Sequence, residues 1–116
     1  MAKPARVLSI AGSDSGGGAG LQADIKTLSS LNCYAMTAVT AITVQDTTDV
    51  YGVHPVPLDI IREQITRVLG DIGADAIKIG MLGSDDIVGT VAGALDAHKS
   101  IPLVLDTVMF AKGGAT

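Results

Sequence analysis

The chain has 116 residues, of which 47% are hydrophobic and only 17% are charged. This length allows at most one domain, and this composition excludes an intrinsically disordered chain. The net charge of −4 argues against a nucleic-acid partner and an anionic membrane surface, and no apolar run approaches the length of a membrane span. The single cysteine excludes an internal disulfide framework and fits a reducing compartment, so we expect a cytoplasmic protein.

The chain begins with a predicted strand, a glycine-rich loop and a helix. Val7–Ala11 is a short apolar run that predicts a buried strand stopped by Gly12. The loop Gly12–Gly20 contains too many glycines for regular structure. A helix is predicted over Leu21–Leu31, because its apolar residues recur at helical spacing. Its predicted buried stripe is Leu21, Ile25 and Leu28.

The middle of the chain predicts a second strand and a second helix. Met36–Val44 alternates threonine with aliphatic residues and predicts a strand, whereas Val50–Val53 predicts either a short extra strand or a flap. Pro57 suits the first turn of the helix, and Gly70 is expected just past its end. The predicted buried stripe of this helix is Leu58, Ile61, Ile65 and Val68.

The last predicted elements are two strands with a helix between them. Ala76–Ile79 predicts a strand, Ser84 is the expected N-cap of a helix that runs to about His98, and Leu103–Leu105 predicts a strand that ends at Asp106. The predicted apolar stripe of the helix is Ile87, Val88, Val91 and Leu95. Strands that alternate with helices indicate an α/β fold, a mostly parallel sheet with helices on both faces.

In open α/β sheets, ligands bind beyond the carboxyl ends of the strands. This rule selects four segments here, and each is a strand end followed by polar or flexible residues. They are Gly12–Gly20, Gln45 with Asp46, Gly80 with Met81, and the residues from Asp106 onward. The convergence of four such segments predicts a binding site more strongly than any one of them.

The glycine-rich loop has several interpretations. A phosphate-binding Walker A loop is excluded, because Gly17 is followed by Gly18 and not by lysine. Gly18–Ala23 matches the dinucleotide pattern G-x-G-x-x-A, but the predicted strand ends six residues before Gly18, too early for that fingerprint. A flexible connection with positive φ angles is a further possibility. We favour a backbone that a small ligand approaches closely.

Three polar side chains could carry chemistry: two follow strand ends, and one lies in the first turns of the helix after the glycine-rich loop. Asp24 lies beside the apolar stripe of its helix, where a carboxylate either faces a cavity or stays solvated in the first turn. Gln45 offers a donor and an acceptor side by side, which suits an aminopyrimidine edge or its own turn. Asp106 suits Mg²⁺ or phosphate-bound water, or else a turn or N-cap. Lys78 lies within a predicted strand and is assigned no chemistry.

Together these segments resemble a known enzyme family. Val7–Asp24 closely resembles the opening of the hydroxymethylpyrimidine/phosphomethylpyrimidine kinases of thiamine biosynthesis, and Ala11–Gly20 is its most specific part. The resemblance continues through Thr40–Asp46, Gly52–Pro57, Ile77–Leu82 and Leu105–Ala115. It implies a three-layer αβα ribokinase-like fold. Because members of the family are roughly twice as long, residues 1–116 are expected to form its N-terminal, substrate-binding portion.

The resemblance also implies an activity and a site. The family transfers phosphate from ATP, with Mg²⁺, to 4-amino-5-hydroxymethyl-2-methylpyrimidine and then to its monophosphate. By the family pattern, the pyrimidine pocket is lined by Gly12, Ala19, Asp24, Gln45, Met81 and Val108. Gln45 would read the ring's amino group and adjacent nitrogen, Asp24 would hold a polar substituent, and Asp106 would lie near the phosphate and Mg²⁺. Thr107 and Phe110 depart from the usual residues beside the pocket.

No catalytic residue is expected in this chain, since the resemblance assigns the nucleotide site and the catalytic residue to a following half. The isolated chain is therefore expected not to turn over ATP. A sheet that ends here would expose an open edge and an apolar face, so the isolated chain is expected to be marginally stable, aggregated or dimeric, and a homodimer is favoured. The alternatives are a pyridoxal or pyridoxine kinase of the same fold, a non-catalytic pyrimidine-binding module, and a nicotinamide-dinucleotide binder.

Overall fold

The computed structural model describes residues 3–106. Its sheet has five strands in the spatial order β3-β2-β1-β4-β5. The strands are β1 (Arg6–Asp14), β2 (Tyr34–Gln45), β3 (Val50–Pro55), β4 (Ala76–Ile79) and β5 (Leu103–Leu105). The helices are α1 (Gly20–Ser30), α2 (Leu58–Asp71) and α3 (Asp85–Leu95), and a short 3-10 helix follows over Asp96–His98.

The sheet is mostly parallel, as the alternation of strands and helices predicts. β1 lies at its centre and pairs in parallel with β2 and β4, while β5 pairs in parallel with β4. Val50–Pro55 forms a strand and not a flap, and it pairs antiparallel to β2. The carboxyl ends of β1, β2, β4 and β5 therefore lie at the same edge of the sheet, where ligands of open α/β sheets bind.

Helices cover both faces of the sheet. Because successive strand residues point to opposite faces, Leu8 and Ile10 of β1 face one side while Ser9 faces the other. The first side carries the main core, in which α2 and α3 pack against the sheet and each other. Helix α1 packs on β1 and β2 at the second side. The buried core residues of the first side are Leu8, Ile10, Met36, Ala38, Ile61, Ile65, Leu69, Ile77, Ile79, Ile87, Val91 and Ala94.

The first strand runs further than its sequence predicts. Gly12 does not stop β1, because the strand continues to Asp14 and keeps its pairing with β2. The register shifts between Ala11 and Ser13, which is the signature of a β-bulge. The extra residue lies on β2, which advances three positions there while β1 advances two, and β1 continues past Gly12 to Asp14 at the ligand edge.

Two predicted helix faces need correction. In α1, Leu21 is buried but Ile25 is 40% exposed. In α2, Leu69 joins the core, Leu58 is 41% exposed and Val68 is only partly buried. The buried residues of α2 are Ile61, Ile65 and Leu69, which recur every four positions and so lie on one face of the helix.

The predicted end of α2 is also wrong. Gly70 lies inside the helix, which continues to Asp71. Gly73 takes φ +77° just after the helix, and its backbone N–H donates to the carbonyl of Val68 at 2.9 Å. A left-handed residue that closes the last carbonyls in this way is a common helix terminator.

The third helix follows its prediction closely at its start. The Ser84 hydroxyl accepts a hydrogen bond from the Ile87 backbone N–H at 3.3 Å, as expected of an N-cap. The α-helix ends at Leu95, and the predicted extension to His98 is 3-10. Val88 of the predicted stripe is 50% exposed, so it faces solvent. No helix within residues 3–106 is long and apolar enough to cross a membrane.

Candidate functional site

A cavity of about 440 Å³ opens at the carboxyl ends of the parallel strands. All four segments that the sequence selects contribute to its lining. Of the predicted pocket residues, Gly12, Ala19, Asp24, Gln45 and Met81 line it, and Asp106 lies at the same cavity. Val108, Thr107 and Phe110 lie outside the described residues. The two strands β2 and β3 supply a further wall of the cavity through Thr40, Thr43, Val50 and Val53.

The glycine-rich loop is organised by the carboxylate of Asp14. Asp14 is 1% exposed as a residue, and its carboxylate accepts backbone N–H bonds from Gly16 at 2.7 Å, Gly18 at 3.1 Å and Ala19 at 2.8 Å. The Lys26 ammonium closes the outer side of the loop by donating to the carbonyl of Gly17 at 2.9 Å. The loop is therefore preorganised by these contacts, and glycine content alone does not distinguish such a loop from a flexible connection.

Gly20 joins the loop to α1 at a point where only glycine fits. Its φ is +59°, and a Cβ atom there would lie 2.5 Å from the carbonyl oxygen of Gly12. This close approach lets the first turn of α1 rest on the backbone of β1 at Gly12. Ala19 and Asp24, on either side of this contact, are thereby brought to the cavity wall.

Asp24 is held by two donors from the strands beneath α1. The Lys78 ammonium lies 2.8 Å from Oδ1 and 2.9 Å from Oδ2, and the Ser9 hydroxyl donates to Oδ2 at 2.6 Å. The side chains of Asp24 and Lys78 are 16% and 25% exposed, so the ion pair is largely withdrawn from solvent. Asp24 faces the cavity, and Oδ1 retains more free acceptor capacity than Oδ2.

Lys78 is a site residue that sequence reasoning missed. It alternates with Ile77 and Ile79, which point into the core on the opposite face of β4. A lysine within so apolar a strand is rarely buried without an acidic partner, and this was the available signal. Its ammonium also lies 3.8 Å from Asp106 Oδ2, so it stands between the two acids of the cavity.

Gln45 presents half of its side-chain amide to the cavity. One N–H donates to the Thr43 hydroxyl at 2.7 Å, and that hydroxyl donates to the Ser13 carbonyl at 2.5 Å. The backbone of Gln45 is fixed by Ser15, whose hydroxyl donates to its carbonyl at 2.6 Å and accepts from its N–H at 2.8 Å. Within residues 3–106 the amide oxygen accepts no bond, which leaves one acceptor and one N–H for a ligand.

The turn after Gln45 is also ordered. The hydroxyl and backbone N–H of Thr48 both donate to Asp46, at 2.6 and 2.8 Å. These bonds lower the pKa of the Asp46 carboxyl from 3.8 to about 2. Asp46 therefore orders the turn that joins β2 to β3, and Val50 and Val53 of β3 lie at the cavity wall.

Thr40 is a second cavity residue that the sequence did not single out. The residue is 1% exposed, and among the described residues its hydroxyl oxygen finds no hydrogen-bond partner. A buried hydroxyl without a partner is destabilising by roughly 1–3 kcal/mol. The site thus holds an unsatisfied polar group beside its ligand space.

The described residues do not by themselves form a metal site. No three His, Cys, Asp or Glu side chains within residues 3–106 are grouped so that they could hold a metal ion. Asp106 is 54% exposed and has Lys78 as its near neighbour, so a cation there would meet an ammonium. The contact of Asp106 with Mg²⁺ therefore stays a prediction.

Known proteins share this architecture. The hydroxymethylpyrimidine/phosphomethylpyrimidine kinase of Bacillus subtilis is 49% identical over 111 residues, which are 96% of this chain and 41% of the relative. A solved phosphomethylpyrimidine kinase from Clostridium difficile is 45% identical with a TM-score of 0.87, over 95% of this chain and 48% of that one. Pyridoxal kinase from Staphylococcus aureus, in complex with AMP-PCP and pyridoxal, is 42% identical with a TM-score of 0.80, over 91% and 40%.

The fold of the described residues is the ribokinase-like fold of these small-molecule kinases. Within this class of kinases, the sequence match identifies one family. The sequence model of the phosphomethylpyrimidine kinase family matches residues 14–116, so the chain belongs to that family. The chain spans less than half the length of these relatives.

Proposed function

We propose that residues 1–116 form the substrate-binding part of a hydroxymethylpyrimidine/phosphomethylpyrimidine kinase. The full activity would be phosphoryl transfer from ATP to 4-amino-5-hydroxymethyl-2-methylpyrimidine and then to its monophosphate. The observation that carries the proposal is the half-satisfied amide of Gln45 in a cavity of about 440 Å³. Its remaining acceptor and N–H match the amino group and adjacent ring nitrogen of an aminopyrimidine.

The other cavity residues support the same ligand. Asp24 Oδ1 can accept a hydrogen bond from the hydroxymethyl group, because among the described residues it has a single donor, Lys78. The other oxygen, Oδ2, already has two donors. Met81 is 49% exposed at the cavity and offers apolar contact to the ring. Gly12 and Ala19 leave room for the ring to approach the backbone. Val108 would add apolar contact by the family pattern. These residues bind and orient, which is the main requirement of phosphoryl transfer.

ATP is the proposed phosphoryl donor, and the solved pyridoxal kinase with AMP-PCP supports it by relationship. We assign no catalytic residue within this chain. Asp106 is proposed to lie near the transferred phosphate, and Mg²⁺ would supply charge neutralisation there when bound. The described residues give no ligand set that would hold that ion alone.

Pyridoxal phosphorylation is the second candidate, because solved pyridoxal kinases share the fold at 42% identity. The two substrates differ at the edge that Gln45 would read. A pyrimidine offers an amino group next to a ring nitrogen, whereas pyridoxal offers no such pair. Preference between the two ligands therefore tests the role of Gln45 directly.

Calorimetric titration of the chain with the hydroxymethylpyrimidine and with pyridoxal tests the proposal. We expect the pyrimidine to bind more tightly, and Gln45→Leu to weaken it by about tenfold or more, since a lost hydrogen-bonded pair costs roughly 1.4 kcal/mol or more. Glu63→Ala, on the exposed side of α2, is the control and should bind like the parent chain. Tighter binding of pyridoxal, or no loss in Gln45→Leu, would contradict the assignment.

A homodimer and a cytoplasmic location remain proposals. The support for self-association is the apolar edge strand β5, whose three residues, Leu103, Val104 and Leu105, are each more than half exposed. Sedimentation velocity at several concentrations would test it, since a monomer throughout would contradict the dimer.

A further inference from the structure

The charges that line the cavity are few and unbalanced. Among the described lining residues, Asp24 and Asp106 are acidic and Lys78 is the one cation. Their formal sum is −1, and Lys78 lies within 4 Å of both acids. Removal of Lys78 would leave two carboxylates facing the ligand space.

We infer that Lys78 determines which charge state of substrate the cavity accepts, by neutralising Asp24. This inference rests on the proposed function, in which one cavity takes both an uncharged alcohol and its monophosphate. A phosphate ester carries about −1.5 to −2 charges at neutral pH. Two unneutralised carboxylates would repel it, whereas the alcohol would be nearly indifferent to them.

The geometry favours neutralisation over direct contact with the phosphate. Lys78 directs its ammonium at both oxygens of Asp24, at 2.8 and 2.9 Å, and its side chain is only 25% exposed. Its position is fixed by a strand, not by a mobile loop. Because the pair is withdrawn from solvent, its charges are screened less than those of surface residues.

Two variants should change the preference between monophosphate and alcohol in opposite directions. Lys78→Met takes the formal charge of the three lining side chains from −1 to −2, and Asp24→Asn takes it to 0. The measured quantity is the Kd of the monophosphate divided by the Kd of the alcohol, obtained by calorimetry on the chain. Lys78→Met should raise this ratio by about tenfold, and Asp24→Asn should lower it.

The double variant Lys78→Met/Asp24→Asn distinguishes neutralisation of Asp24 by Lys78 from direct contact between Lys78 and the phosphate. It restores the formal charge of −1, so its ratio should return to within about threefold of the parent chain, even though both ligands bind more weakly. A ratio that stays as high as in Lys78→Met would show that Lys78 touches the phosphate and would overturn neutralisation. Lys99→Met, which removes an exposed lysine paired with Asp96, is the control and should leave the ratio unchanged.

The binding data distinguish failure of the proposed function from failure of the role of Lys78. A parent chain that binds neither ligand would overturn both statements together. A parent chain that binds both ligands, with the same ratio in Lys78→Met, would overturn the role of Lys78 alone. Circular dichroism checks the fold of each variant, and if Lys78→Met is unfolded, an unchanged or raised ratio in Asp24→Asn overturns the inference.

Discussion

Lys78 donates hydrogen bonds to both carboxylate oxygens of Asp24, at 2.8 and 2.9 Å, although 54 positions separate them in the sequence. Helix α1 packs mainly on β1 and β2, so this ion pair attaches it to the next strand of the sheet, β4. Ser9 of β1 donates to the same carboxylate at 2.6 Å. One acidic side chain thus joins three elements at the base of the cavity.

The contact between Gly20 and Gly12 gives the first stability prediction. Gly20→Ala would place a methyl group 2.5 Å from the Gly12 carbonyl oxygen at a residue with φ +59°. We expect it to destabilise the chain by about 2 kcal/mol or more, through left-handed strain and the clash. Urea denaturation measures this as a lower midpoint.

Gly89→Ala is the matched control for that substitution. Gly89 lies inside α3, and nothing lies within 4 Å of the Cβ that alanine would add. The same change should therefore stabilise by roughly 0.5–1 kcal/mol, because alanine favours the helix. Equal destabilisation by both variants would contradict the role of Gly20.

The carboxylate of Asp14 gives a prediction on the order of the loop. Asp14→Asn keeps one oxygen acceptor and replaces the other by an N–H group, which cannot accept from Gly16, Gly18 or Ala19. We expect faster hydrogen exchange of these amides and a loss of about 1–3 kcal/mol of stability. Asp71→Asn, at the exposed end of α2, is the control. Unchanged exchange in Asp14→Asn would show that the loop is ordered by other contacts.

The architecture followed from sequence patterns because each main strand is an apolar run bounded by glycine, proline or polar residues. The prediction over Ala76–Ile79 coincides with β4, and that over Leu103–Leu105 coincides with β5. The β-bulge opposite Gly12 could not be predicted, since it depends on the pairing of β1 with β2. Likewise, Gly70 and Gly73 both could end α2, and only the backbone shows that Gly73 does.

The sequence predicts which segments line the cavity, but not which side chains contact each other there. The rule for strand ends brings Gln45, Asp106 and the loop that precedes Asp24 to one place, and all three line the same cavity. The partner of Asp24 depends on which strand lies beside β1, and that order is not written in local patterns. Lys78 can therefore be placed in the site only when the strand order, with β4 beside β1, is known.

Gln64 gives a prediction about the edge of β2. Its side-chain amide accepts from the Val39 N–H at 2.9 Å and donates to the Val39 carbonyl at 3.0 Å. Antiparallel pairing with β3 begins only at Ala41, so Gln64 replaces a missing strand partner. Gln64→Ala should cost about 1–3 kcal/mol in urea denaturation, because two part-buried backbone groups lose their bonds.

The control for Gln64 is its neighbour Glu63. Glu63 pairs with Arg67 one turn on, and both side chains are more than half exposed. Glu63→Ala should therefore change stability by no more than about 0.5 kcal/mol. If both substitutions cost the same, the bonds to Val39 contribute nothing beyond an ordinary surface contact.

The ion pair of Arg6 with Asp75 predicts part of the acid sensitivity of the fold. The side chain and backbone N–H of Arg6 donate to Asp75, and these bonds lower the pKa of its carboxyl from 3.8 to about 2. Because the folded pKa lies below the unfolded value, the stabilisation is present above about pH 4 and is lost as the pH falls toward 2. Both side chains are well exposed, so solvent screening keeps the effect small. Urea midpoints between pH 2 and pH 5 should show the parent chain losing its advantage over Asp75→Asn across this window, whereas a gap independent of pH would mean that the pair does not titrate with folding.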